Sequence, residues 1–77
     1  MSVTTDPPTL DLRGVPCPVT WARAKTVLEG LEPGAQIRVL TDDPRSARDL
    51  PGAAEAEGYA VLEIEHEGAA TAILIER

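Results

Sequence analysis

The spacing of apolar residues along the chain switches between a period of two and a period near 3.6. Thr9-Leu10-Asp11-Leu12-Arg13 alternates apolar and polar side chains, as a half-buried strand does, and Gly14 and Pro16 end it. From Pro18 to Leu31, Trp21, Ala24, Leu28 and Leu31 recur at helical spacing while Arg23, Lys25 and Glu29 fall on other faces. Glu32-Pro33-Gly34 stops that helix, and Gln36–Thr41 follows as a β-rich strand directed inward through Ile37 and Val39. Asp43 suits an N-cap and Pro44 a first helical position, opening a second helix with a narrow stripe of Ala47, Leu50 and Ala54. Pro51 removes one helical hydrogen bond, which predicts a kink or two short pieces between Arg45 and Glu57 before Gly58 marks the exit. Tyr59 to Glu67 alternates again, with Ala60, Leu62 and Ile64 on one side and Val61, Glu63, Glu65 and Glu67 mostly on the other. Glu67-Gly68 turns the chain into a last strand, Ala70 to Glu76.

The order β-α-β-α-β-β predicts an α/β (α+β) two-layer sandwich: a four-stranded mixed sheet with two helices on one face and the other face toward water. A crossover through the first helix makes the first two strands parallel, and the short turn at Gly68 makes the last two an antiparallel hairpin. Residues 1–8 read as a flexible N-terminus, and residues 9–77 as a single domain that must stand on its apolar core. A single cysteine, Cys17, allows no internal disulfide, and a single histidine, His66, leaves no ligand set for a structural zinc; neither metal nor cofactor is expected. No apolar run reaches the length of a membrane span, and Met1–Asp6 has neither the basic nor the apolar region of a signal peptide. With a free cysteine, this points to the reducing cytoplasm.

The net charge of −6 is unevenly placed: residues 1–48 hold six acids and six bases, whereas residues 49–77 hold seven acids and only Arg77 as a base. An acidic chain repels phosphate backbones, so direct nucleic-acid binding is disfavoured and basic protein partners are the easier match. The half containing Cys17 is neutral, and Arg13, Arg23 and Lys25 could give a thiolate a mildly positive surrounding, or simply be solvated surface charge. Small size and strong charge suggest a monomer.

Cys17 carries the candidate chemistry. Placed as N-cap, with Pro18 as the first helical residue, its sulfur would lie near the Val19 and Thr20 N–H groups and the positive end of the helix dipole, both of which favour a thiolate. The plainer reading is a small apolar residue filling a strand-to-helix corner. A cysteine hydrolase needs an oriented base, and His66, at a strand end beside Glu65 and Glu67, is a poor candidate. Thioredoxin-type exchange needs a resolving cysteine that this chain lacks. A persulfide carrier fits what remains, since a neighbouring thiol would discharge the cargo before delivery.

Leu10-Asp11-Leu12-Arg13-Gly14-Val15-Pro16-Cys17-Pro18, the helix end Leu31-Glu32-Pro33-Gly34, Asp42-Asp43-Pro44 and Asp49-Leu50-Pro51 together resemble the TusA (SirA-like) sulfur-carrier family, from Leu10 to the C-terminus. The resemblance implies the same sandwich and a persulfide carried on Cys17; the residues read around it as supporting are Arg13, Pro18, Val19 and Thr20. It also implies a protein sulfur donor, a cysteine desulfurase or a rhodanese-like protein, and a protein acceptor in tRNA thiolation, molybdenum-cofactor maturation or sulfur oxidation. Such a chain is a persulfide relay and not a free-standing catalyst. The family pattern Cys-Pro-X-Pro ends here in Thr20, which supplies an N–H and a hydroxyl where proline has neither, and Thr20 is expected to donate to the Cys17 sulfur. The competing class is a regulatory or interaction module of the same fold, with Cys17 structural or redox-sensing.

Overall fold

A computed structural model describes residues 7–16 and 19–77; the expectations placed on Cys17, on Pro18 and on the N-terminus through Asp6 lie outside the described residues. Six elements follow in the expected order: β1 (Thr9–Asp11), α1 (Val19–Glu29), β2 (Gln36–Thr41), α2 (Pro44–Ala56), β3 (Ala60–Glu67) and β4 (Ala70–Glu76). The sheet order is β1-β2-β4-β3, with β1 parallel to β2 and the other two pairings antiparallel. This is the mixed four-stranded sheet read from the sequence.

Strand alternation explains the core. Ile37 and Val39 of β2 stand opposite Ile75 and Ile73 of β4, so all four side chains leave one face of the sheet. Ala24 and Leu28 of α1, Leu50 and Ala54 of α2 and the loop residue Leu12 close over them, and every one of these residues is buried. Trp21 and Tyr59 meet edge to face at the rim, ring centroids 6.4 Å apart. The opposite face carries Gln36, Arg38 and Leu40 of β2 and bears no helix among the described residues.

Three local expectations are corrected. Of the two forms expected at Pro51, the two short pieces do not occur: α2 runs as one helix across it, because Leu50 and Ala54 on either side are both locked in the core and hold the helix across the missing hydrogen bond. α1 ends at Glu29, short of Leu31: Gly30 and Leu31 donate to Val27 and Leu28, the three-residue closures of a tightening last turn. In β3 the register slips between Val61 and Glu63, so Val61 faces Ile75 and Ile64 faces Ile73 while Leu62 is the extra residue of a bulge. Ala60, Leu62 and Ile64 therefore do not form one inward row. Leu62 and Ile64 remain 47% and 46% exposed, and Val61 packs on the core in their place.

Candidate functional site

The candidate site is the connection between β1 and α1, where Cys17 lies in the sequence. Its N-terminal half is fastened at four points. Leu12 N–H extends the parallel ladder by donating to the Leu40 carbonyl at 2.8 Å, and Val15 N–H closes a turn on the Leu12 carbonyl at 3.1 Å. Gly14, at φ +82°, takes a backbone conformation that a side chain would oppose, and its N–H donates to Asp42 Oδ1 at 2.9 Å. Asp11 accepts the Arg13 backbone N–H and grips the guanidinium with both carboxylate oxygens, at 3.0 and 2.7 Å. That grip, chiefly the side-chain hydrogen bonds, lowers the Asp11 pKa to about 2 and raises that of Arg13.

The C-terminal half is held by Thr20. Its N–H donates to the Pro16 carbonyl at 3.2 Å, an i to i−4 helical bond. Its hydroxyl is fully buried, donates to the Val15 carbonyl at 2.9 Å and accepts from the Ser46 hydroxyl of α2 at 3.0 Å. The Thr20 N–H therefore has an intrahelical acceptor and is not left open at the helix start, and the side chain points into the α1–α2 contact; the donation expected from Thr20 to the Cys17 sulfur lies outside the described residues. Val19, in contrast, is 42% exposed and sets an apolar side chain on the surface at the start of α1.

The basic surrounding drawn from Arg13, Arg23 and Lys25 is also reduced. Arg13 is paired with Asp11 inside the loop, and Lys25 Nζ reaches Glu57 at 2.7 Å, tying α1 to the end of α2 and raising the lysine pKa. Arg23 lines a groove with Leu10, Leu12 and Val27.

Asp42 and Ser46 are the positioning residues that periodicity did not reveal. Asp43 is the N-cap, as expected, accepting from Arg45 N–H at 2.9 Å. The signal for Asp42 was the redundant acid: a cap needs one carboxylate, and Asp42-Asp43 offers two. Asp42 also borders a cavity of about 350 Å³ with Asp43, Arg48, His66 and Thr71, so a recess opens beside the loop. His66 lies at the exposed end of β3, its Nδ1 3.2 Å from Thr71 Oγ1. Among the described residues no group of three metal-ligating side chains converges.

The architecture defines a class: a small two-layer α+β sandwich with a tethered loop running from its short parallel edge strand into the first helix. A SirA-like protein from Desulfitobacterium hafniense has the same fold, with a TM-score of 0.76 and 33% sequence identity, covering 88% of this chain and 93% of that one. The family model for sulfurtransferase TusA matches residues 8–77, and the chain belongs to that family. A relative in Archaeoglobus fulgidus, named "Putative sulfur carrier protein", is 41% identical over 59 residues, spanning 77% of this chain and 67% of the relative. YedF of Escherichia coli K12, which bears the same description, is 32% identical over 68 residues, 88% of each chain.

Proposed function

We propose that this protein carries sulfane sulfur as a persulfide on Cys17, receiving it from one protein and passing it to another. The observation that carries this reading is the family match over residues 8–77, which spans Cys17, the chain's only thiol. The relatives' description as sulfur carriers supports it. So does the loop: Leu12 to Pro16 on one side of Cys17 and Thr20 on the other are tied to β2, Asp42 and Ser46, so the segments bracketing the thiol have fixed positions.

The transfer is an exchange without net oxidation. The Cys17 thiolate attacks the outer sulfur of a donor persulfide, forming Cys17–S–SH while the donor leaves as a thiolate. An acceptor thiolate then attacks the same outer sulfur and releases Cys17 as the thiolate again. Arg13, Pro18, Val19 and Thr20 support the loop that presents it, with Thr20 acting as an anchor and the exposed Val19 as an apolar contact for either partner. Donor and acceptor are proteins of a cytoplasmic sulfur relay, a cysteine desulfurase or rhodanese-like protein upstream and a thiolation, molybdenum-cofactor or sulfur-oxidation protein downstream.

Incubation with a cysteine desulfurase and cysteine, followed by intact-mass spectrometry, tests this. The expected result is the mass of one or more added sulfur atoms, removed by reductant and absent from Cys17→Ser. An unloaded wild-type chain, with Cys17→Ser binding its partners unchanged, would instead establish the regulatory or interaction module.

A further inference from the structure

β3 ends the sheet, and among the described residues no strand neighbours the backbone groups on its outer side. Past the bulge at Leu62 its ladder with β4 is regular from Glu63 to Glu67. There Glu63, Glu65 and Glu67 lie opposite Leu74, Ala72 and Ala70 on the helix-free face, while Ile64 and His66 lie opposite Ile73 and Thr71 on the helix side. The edge thus offers three acids at every second position with a 46% exposed isoleucine between them.

Charge selects the occupant. Two copies of β3 paired antiparallel about a two-fold axis would bring residues of the same face together, so glutamates would meet glutamates in any register. A strand with lysine or arginine at every second position sets opposite charges across the same face and lays its intervening side chains against Ile64. We propose that the Glu63–Glu67 edge is a docking site for an extended basic segment of a partner protein, which adds to the sheet as a fifth strand. Such docking requires no sulfur on Cys17, so it stands or falls separately from the carrier reading.

The test uses the full chain and a fluorescent peptide of alternating lysine and valine at low salt, read by anisotropy and by amide hydrogen exchange. The expected result is binding with at least about ten-fold added protection of amides within Glu63–Glu67 and none in β1. Binding is expected to weaken at least about ten-fold, or 1.4 kcal/mol, in the Glu63→Gln/Glu65→Gln/Glu67→Gln variant. A peptide of the same charge with alternate backbone nitrogens methylated is expected not to bind, which requires no change in the protein. Equal binding of the methylated peptide, protection located elsewhere, no binding at all, or a dimer of the free chain joined through β3 would overturn the proposal.

Discussion

Thr20 shows how one hydroxyl can organise a loop. It joins the Val15 carbonyl to Ser46 of α2, both within 3.0 Å, at a site closed to water. Thr20→Val keeps the shape but strands the Ser46 hydroxyl, and is expected to cost about 1–3 kcal/mol in urea unfolding. Ser46→Ala is expected to cost about 1 kcal/mol, and the two changes together less than their sum, because both break the same bond. The family was legible from the sequence because the motif around Cys17 is local. The role of Thr20 was not, because the partner that turns it inward stands 26 residues away. Asp11 illustrates the same division on the surface. Its folded pKa of about 2 lies below the ordinary 3.8, so its pair with Arg13 stabilises the fold fully above that ordinary value and loses the contribution as pH falls from about 3.8 toward 2. Asp11→Asn is expected to flatten the acid limb of stability in that window and leave the slope near neutrality unchanged, as followed by denaturant melts at stepped pH.

At the level of elements, hydrophobic period identified all six, and the disagreements lie where long-range packing outweighed a local rule. Pro51 is the clearest. A proline inside a helix forfeits the bond to residue 47, yet the buried side chains of Leu50 and Ala54 keep α2 whole. Pro51→Ala is accordingly expected to raise stability by about 1–3 kcal/mol, the restored helix outweighing the added freedom of the unfolded chain; thermal and urea melts would register it. β3 failed for a different reason. Its sequence alternates strictly only from Leu62 onward, and the apolar run Ala60-Val61-Leu62 does not say which residue is extra; only the pairing with β4 does.

For the molecule as a whole, the uneven charge was readable in composition, whereas its placement required the sheet register. The acids of the C-terminal half gather partly on the helix-free side of β3, at the edge farthest from β1. The cysteine loop follows β1, so the two regions leave opposite edges of the sheet. The tethers of the Leu12–Pro16 segment also impose a sequence of events during synthesis. Leu40, Asp42 and Thr20 with Ser46 supply them, so the stretch leading to Cys17 is translated early and fastened late. A fragment ending before Leu40, free of the ribosome, is expected to be cut rapidly by trypsin at Arg13, and the full chain slowly, which makes this peptide bond a clock for the completion of the newborn protein.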